Sequence, residues 1–140
     1  MKLIRYIEYS LHVLVHLAAH TDGLSSIAGI AHAYGISHAH LMKVVQDLAH
    51  AGYVQTLRGR NGGIQLRVRA ANISLGKLIR HTESGFDLFV CPSCATASAC
   101  RLTEALAEAV GAFLGVLDKH SLADLAARRP QRCTMFAPAA

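Results

Sequence analysis

The spacing of apolar residues changes abruptly at Tyr53, from the period of a helix to the period of a strand. Before Tyr53, two amphipathic stretches are separated by a turn at Gly35, and the second is predicted to begin at the N-cap Ser37. After Tyr53, residues 53–57 and 64–68 read as the two strands of a hairpin. Two helices joined by a short glycine turn and followed by a hairpin predict a winged helix-turn-helix.

The remaining segments are predicted to be helical, so the fold class is mainly α with a small β-hairpin. The helix before the Gly35 turn is capped by Ser25 or Ser26. The helices outside the motif are predicted over residues 1–20, from a cap at Asn72 or Ser74 to about Thr82, over 101–119 and over 121–127. The organisation expected is a DNA-binding domain at 1–83, a loop at 84–100, a dimerisation region at 101–127 and a mobile tail at 128–140.

The long predicted helix carries a continuous apolar stripe that a chain of this size has little means to bury. Hydrophobic residues make up 52% of the 140 residues and charged residues only 16%, which favours self-association. We therefore expect this helix to form a homodimer interface by coiled-coil-like packing. The stripe consists of Leu102, Leu106, Ala109, Val110, Phe113, Val116 and Leu117.

The first helix is too frequently interrupted by polar residues to act as a secretion signal. Arg5, Glu8, His12 and His16 break the apolar run that such a signal requires. No apolar stretch reaches the length of a membrane span, about 20 residues. The expected location is the cytoplasm, with no membrane partner.

Positive charge is concentrated in the hairpin and in the second helix of the motif, which begins at Ser37 and would be its recognition helix. Residues 38–69 contain five lysines and arginines against the single acid Asp47, and so account for +4 of the net charge of +5. This pattern is typical of a phosphate-binding surface and predicts double-stranded DNA as the partner. The alternative is a solvated basic hairpin on a protein-binding module.

Helical spacing and the hairpin tip indicate which residues of this surface face DNA. The recognition helix would face the base edges with the side opposite its apolar stripe and with its N-terminal end. His50 lies on the same side, at the C-terminal end of the helix. The arginines of the tip would reach the adjacent backbone or a narrow minor groove. The predicted DNA-binding residues are Ser37, His38, Ala39, His40, Lys43, Gln46, Arg58, Arg60 and Asn61.

Three of the four cysteines, Cys91, Cys94 and Cys100, lie within ten residues. In a reducing compartment such a cluster more often binds metal than forms disulfides. Three thiolates are one ligand fewer than a four-coordinate zinc ion or a four-iron cluster requires. A fourth, exchangeable ligand would suit a sensor. Iron–sulfur is favoured, and zinc or a structural disulfide remain alternatives.

The order of these elements resembles the Rrf-type iron–sulfur winged-helix regulators over residues 1–126, and within them the nitric-oxide-sensing repressors. The resemblance lies in the wing tip and the segment after the third cysteine, together with shorter stretches around the turn and the long helix. The matching stretches are Tyr34-Gly-Ile-Ser37, His40-Leu-Met-Lys-Val-Val45, Gly52-Tyr-Val54, Arg58-Gly-Arg-Asn-Gly-Gly63, Cys100-Arg-Leu102, Ala112-Phe-Leu-Gly-Val-Leu-Asp118 and Leu122-Ala-Asp-Leu125.

This resemblance implies a homodimeric repressor on a palindromic operator, with one cluster per subunit held by Cys91, Cys94 and Cys100. It further implies that Glu8 of the partner subunit completes a [4Fe-4S] cluster, and that nitric oxide acts on the cluster to release DNA. Some relatives hold a [2Fe-2S] cluster with a histidine near His32, which makes His32 a rival ligand. The corresponding alternative function is an iron- or redox-responsive regulator.

An alternative of another class is an iron–sulfur or dithiol electron-transfer protein without a DNA role. No arrangement of catalytic residues is recognisable, so an enzyme is not expected. His12, His16 and His20 recur four residues apart and could form a metal ladder, but a solvent-facing histidine surface is the preferred interpretation. Cys133 is expected to be a spectator thiol in the tail.

Overall fold

The computed structural model describes residues 5–83 and 97–127, and the side chains of 97–100 are not among those described. The described chain is mainly helical with one two-stranded antiparallel hairpin, which confirms the predicted fold class. The elements are α1 (Arg5–Ala19), α2 (Ile27–Tyr34), α3 (His38–His50), β1 (Val54–Leu57), β2 (Gly63–Leu66), a short 3-10 helix (Ala70–Asn72), α4 (Leu75–Thr82), α5 (Ala97–Leu117) and α6 (Leu122–Ala127).

The turn between α2 and α3 forms where the sequence predicts it. Ser26 caps α2 by accepting a hydrogen bond from the Gly29 amide at 2.9 Å. Gly35 ends α2 with a φ of 65°, a left-handed conformation that favours glycine. Ser37 is the N-cap of α3 as predicted, although its side chain makes no capping hydrogen bond. Its carbonyl accepts the Leu41 amide at 3.0 Å instead.

α3 is anchored by the apolar stripe that its spacing predicts. Leu41, Val44, Val45 and Leu48 are buried, while the opposite side of the helix is exposed. α1 packs beside α3 and contributes further core residues, among them Ile7, Val13 and Leu14. The core therefore fixes which side of α3 is left for a ligand.

The hairpin is tied to the rest of the motif by a backbone pairing that the sequence does not reveal. β1 and β2 pair from Val54 opposite Leu66 to Leu57 opposite Gly63. Ser25 pairs with Ile64 on the other edge of β2, through amide-to-carbonyl hydrogen bonds of 3.0 and 2.8 Å. A Cβ at Gly63 would lie 2.8 Å from the Ser25 carbonyl oxygen, so this close approach requires glycine. The wing is therefore held on both edges of its second strand.

The described contacts divide the chain into two units at residues other than those predicted from the sequence. One unit contains α1 to the 3-10 helix together with α6, and the other contains α4 and α5. α6 belongs to the first unit because it packs on α1 and the 3-10 helix. The Leu122 amide also donates to the Ile73 carbonyl at 2.9 Å.

In the second unit, α4 and α5 are joined by a polar contact and a close approach. Arg80 forms two hydrogen bonds to the Asp118 carboxylate, at 2.7 and 2.9 Å. This guanidinium lowers the pKa of Asp118 below its usual value. Ser74, one of the two residues predicted to cap α4, accepts a hydrogen bond from the Lys77 amide. A Cβ at Gly76 would collide with the Asp118 carboxylate, so α4 and α5 approach closely because Gly76 has no side chain.

α5 begins at Ala97, four residues before the predicted start, so the backbone of Cys100 lies in its first turn and not in a loop. Its apolar stripe is largely unburied, with Leu102 at 54% and Val116 at 55% exposure. Among the described side chains of α5, those from residue 101 onward, the buried one is Leu114, which the predicted stripe omits. The positions of Cys91, Cys94, Cys133 and the tail lie outside the described residues.

Within the described ranges, no helix combines the length and hydropathy needed to cross a membrane.

Candidate nucleic-acid interface

One side of α3 presents the polar residues that the sequence predicts to face DNA. All of them are exposed, while the apolar stripe on the other side is buried in the unit. The N-terminal end of the helix, which enters the major groove first in this class of motif, is therefore accessible. These exposed residues are Ser37, His38, Ala39, His40, Lys43, Gln46 and His50.

The wing tip adds Arg58, Arg60 and Asn61, whose side chains are also exposed. Two glycines shape the tip. Gly59 has a φ of 116°, and its carbonyl accepts the Gly62 amide at 3.0 Å. A Cβ on Gly62 would collide with the Leu57 carbonyl oxygen. The glycines thus form a tight turn that leaves both arginines in solvent, where they can reach phosphates.

The single acid of this segment, Asp47, is bonded to a side chain of α1. The Tyr6 hydroxyl of α1 donates a hydrogen bond of 2.5 Å to Oδ2 of Asp47. Burial, and then the neighbouring Asp47 carboxylate, raise the pKa of Tyr6 well above its usual value. Asp47 is half-buried, whereas Lys43 and Gln46 are exposed. Positive and polar side chains therefore dominate the exposed side of α3.

Met42 is a further exposed residue of α3 that the sequence interpretation missed. Its side chain is 50% exposed, which is unusual for a large apolar residue in a core-packed helix. It lies four residues before Gln46 and four after His38, so it borders the predicted DNA-facing side. The same helical spacing could have identified it. An exposed apolar side chain here is suited to contact a thymine methyl group.

The histidines of α1 pack against other aromatic rings and do not simply face solvent. The His12 ring lies 4.7 Å from the Tyr34 ring between centroids, and the His16 ring stacks on His20 at 4.2 Å. Burial lowers the pKa of both His12 and His16. The expectation of a solvent-facing surface is therefore wrong for these two residues, because they pack against the end of α2.

The structure gives no support to a metal ladder on α1. Among the residues it describes, no group of three potential ligands is arranged to hold a metal ion. His20 is engaged instead through Nδ1, which lies 2.8 Å from the His16 carbonyl oxygen.

The two residues suggested as a fourth cluster ligand occupy different helices and environments. Glu8 is half-buried on α1, with its Oε1 3.9 Å from Nε2 of His12. His32 is exposed near the end of α2. Carboxylate, imidazole and thiolate are all donor types found in iron–sulfur or zinc sites, so this donor set is chemically suited to either. Of the cysteines, only the backbone of Cys100 is described.

The recognition helix α3 is buried on one side and exposed on the other, and it lies beside a basic wing with glycines at its tip. This is the arrangement of a winged-helix DNA-binding regulator. Comparison with known proteins gives the family. The family model Rrf2, described as an iron-dependent transcriptional regulator, matches residues 3–128, so the chain belongs to this family. The resemblance found in the sequence is thereby confirmed, and membership of a non-enzymatic family of transcriptional regulators replaces the electron-transfer alternative.

The similar proteins agree with this assignment along nearly the whole chain. The HTH-type transcriptional regulator NsrR of Bacillus subtilis strain 168 is 46% identical over 131 residues, covering 89% of this chain and 90% of its own. Among solved structures, the oxidized form of Staphylococcus aureus CymR has 30% identity and a TM-score of 0.73, covering 94% and 100% of the two chains. T. potens IscR has 25% identity and a TM-score of 0.71, covering 94% of each.

Proposed function

We propose that this chain is a homodimeric repressor that binds a palindromic operator and releases it when nitric oxide reaches an iron–sulfur cluster. The observation that carries the proposal is the 46% identity to NsrR over 90% of that regulator's length. Three clustered cysteines and an acidic residue on α1 supply ligands of the types such a cluster needs.

The DNA-binding step is assigned to α3 and the wing. His38, His40 and Gln46 would approach base edges, because side chains near the start of a recognition helix enter the major groove. Lys43, Arg58 and Arg60 would contact phosphates, which supply affinity without sequence information. Two such surfaces in a dimer read a palindrome when they lie about 34–36 Å apart, one turn of DNA.

Dimerisation is assigned to α5. Its stripe leaves Leu102 and Val116 more than half exposed, and isolated chains rarely expose a continuous apolar helix face. A second copy of α5 packed against this stripe would bury it. The partner is also required for the cluster site, because Glu8 is proposed to act across the dimer.

The residues that would hold the cluster are Cys91, Cys94, Cys100 and Glu8 of the partner subunit. When bound, the cluster supplies iron atoms with which nitric oxide reacts. The three thiolates are strong, soft ligands, while a carboxylate is a harder ligand that exchanges more readily. The site would therefore have one labile position, and [4Fe-4S] is the cluster we propose for it. His32, exposed on α2, is the corresponding ligand if the site holds a [2Fe-2S] cluster.

Ligation by both subunits would connect the first turn of α5 in one protomer to α1 in its partner. Such a connection would restrain the spacing of the two α3 helices, and its loss would remove the restraint. Converting a mostly occupied operator to a mostly free one requires a difference in affinity of about a hundredfold, or about 3 kcal/mol.

Anaerobic native mass spectrometry with and without nitric oxide tests this function. Four irons and four sulfides per subunit are expected before exposure, with loss or modification of the cluster afterwards. DNA affinity measured by fluorescence anisotropy on the same samples is expected to fall with the cluster. Two irons and two sulfides would support the iron- or redox-responsive alternative instead. One zinc ion per subunit would overturn the cluster proposal.

Two single variants assign the fourth ligand. Glu8→Ala is expected to shorten the lifetime of the cluster under air while leaving the helical circular dichroism spectrum unchanged. His32→Ala is the matched control, because His32 is the competing ligand on a neighbouring helix. If His32→Ala shortens the lifetime and Glu8→Ala does not, the assignment transfers to His32.

A further inference from the structure

The hydrogen bond between Tyr6 and Asp47 connects two helices with different proposed tasks. It spans 41 residues of sequence and joins α1, which carries Glu8, to the recognition helix α3. At 2.5 Å it has the length of a charge-assisted bond, which is about twice as strong as a bond between neutral groups. Both side chains are half-buried, so water competes with this contact less than it would at the surface.

The negative charge of Asp47 by itself would weaken DNA binding. It is the one acidic residue between 38 and 69, in a segment with five cations. A carboxylate close to a phosphate-binding surface opposes binding by repulsion. Because Asp47 accepts the Tyr6 hydroxyl, its contribution here is structural: it fixes the C-terminal half of α3 against α1.

Tyr6 also lies very near the proposed cluster ligand. It precedes Glu8 by two residues, or about 3 Å along the helix axis. Two residues correspond to about 200° of rotation, so the two side chains leave opposite sides of α1. Tyr6 bonds to α3, while the Glu8 carboxylate lies beside His12. A movement of this turn of α1 therefore displaces both side chains together.

We propose that Tyr6 and Asp47 are positioning residues that hold α3 in the orientation needed to read base edges, and that they pass a displacement of Glu8 on to α3. The first half concerns DNA recognition alone, and the second half rests on the proposed role of Glu8. Base contacts depend on the orientation of α3 and carry the sequence information, whereas phosphate contacts from the wing carry none. Loss of the bond should therefore reduce sequence specificity more than general affinity for DNA.

The test compares affinity for two duplexes of equal length: one that the wild-type protein selects from a random pool, and one with the same bases scrambled. Fluorescence anisotropy at several salt concentrations gives both affinities. Tyr6→Phe removes only the hydroxyl and is expected to reduce the ratio of the two affinities by about tenfold, since bonds to charged groups contribute more than neutral ones. Asp47→Ala is expected to behave in the same way.

Two control variants separate positioning from packing and charge. Tyr9→Phe removes a hydroxyl from the same helix that makes no hydrogen bond among the described residues, and it should leave the ratio unchanged. Asp47→Asn removes the charge but keeps an oxygen that can accept the Tyr6 hydroxyl, so it should reduce the ratio less than Asp47→Ala does. Thermal unfolding of each variant shows that it is folded under the conditions used.

The proposal is overturned if Tyr6→Phe keeps the wild-type ratio, or if Tyr9→Phe loses as much as Tyr6→Phe. Measurements on cluster-free and cluster-loaded protein distinguish this result from failure of the proposed function. If wild-type affinity is the same in both forms, the proposed control of DNA binding by the cluster is wrong. The ratio of affinities for selected and scrambled DNA in Tyr6→Phe still tests positioning in that case. If positioning also transmits the signal, the affinity difference between the two forms shrinks in Tyr6→Phe.

Discussion

The winged-helix unit and the α4–α5 unit bury their apolar residues in different ways. In the first, Leu41, Val44 and Ile64 are enclosed by neighbouring elements of the same chain. In the second, Leu102 and Val116 remain more than half exposed on a helix of 21 residues. The first unit therefore encloses its own core, whereas α5 exposes apolar surface that we propose is covered by a second copy of the chain. Each DNA-facing surface is thus formed within one chain, whereas the proposed cluster site needs residues of two.

Replacing Cys100 with serine should have the largest effect, because it removes a proposed ligand from α5 and leaves the winged helix intact. The cluster should be lost, and operator affinity should fall by at least about a hundredfold, the difference needed for control. Anaerobic absorption spectra and fluorescence anisotropy measure the two effects. Cys133→Ser is the matched control and should retain both. A Cys100→Ser protein that keeps its cluster would remove this residue from the ligand set.

Leu102→Asp tests whether α5 is covered by a second copy. Each buried leucine contributes at least about 1.5 kcal/mol, and a symmetric dimer contains the residue twice, so dimerisation should weaken by about a hundredfold. Sedimentation velocity over a range of concentrations measures this change. Glu104→Lys, an exposed substitution on the other side of α5, should leave the association unchanged. Unaltered dimers of Leu102→Asp would exclude the stripe as the interface.

Gly76→Ala tests the close approach of α4 and α5 within the second unit. The added methyl group would collide with the Asp118 carboxylate and displace the contact with Arg80. Overpacking of this kind lowers the free energy of unfolding by about 1–3 kcal/mol. Urea unfolding measures it. Gly111→Ala on α5, where no described atom beyond the adjoining residues and backbone of its own helix lies within 4 Å of the new methyl group, should be neutral or stabilising. Equal stability of the two variants would contradict the packing described.

Arg58→Ala tests the phosphate contact assigned to the wing. Affinity should fall for selected and scrambled DNA alike, by about tenfold, and the salt dependence should decrease by about one counterion. Binding measured at several salt concentrations gives both values. Lys77→Ala removes an exposed cation from α4, outside the winged helix, and should leave the salt dependence unchanged. The same decrease in Lys77→Ala would indicate that net charge, and not the wing, determines binding.

The smallest effect is expected from the half-buried histidine His16. Burial lowers its pKa in the folded protein below the unfolded value of about 6.5. The unfolded chain therefore binds the proton more readily, and stability decreases as the pH falls below about 6.5 towards the folded pKa. His16→Gln should flatten this part of the stability curve measured by urea unfolding.

Local features of the fold could be predicted because they depend on neighbouring residues. The left-handed turn at Gly35, the caps at Ser26 and Ser74 and the buried stripe of α3 each follow from a short stretch of sequence. The Ser25–Ile64 pairing joins segments 39 residues apart, and no local pattern specifies which edge of β2 it uses. The start of α5 was misplaced because Ala97 to Cys100 lack the strong apolar period used to locate it.

The same distinction between local features and contacts of distant segments applies to the candidate site. Helical spacing was sufficient to identify the exposed face of α3, and the same spacing applied to Met42 would have completed it. The Tyr6–Asp47 bond could not be predicted, since it depends on how α1 crosses α3. The packing of His12 and His16 on Tyr34 likewise depends on the meeting of α1 and α2, which sequence period alone does not determine.

The chain leaves and re-enters the winged-helix unit at neighbouring points. The Ile73 carbonyl accepts the Leu122 amide at 2.9 Å, and the Leu75 amide donates to the His120 carbonyl at 3.0 Å. The intervening stretch is therefore an insertion with its two ends fastened side by side, and insertions of this geometry tolerate changes of length and content. A unit joined to the chain in this way can be exchanged for another while the winged-helix unit keeps its own core.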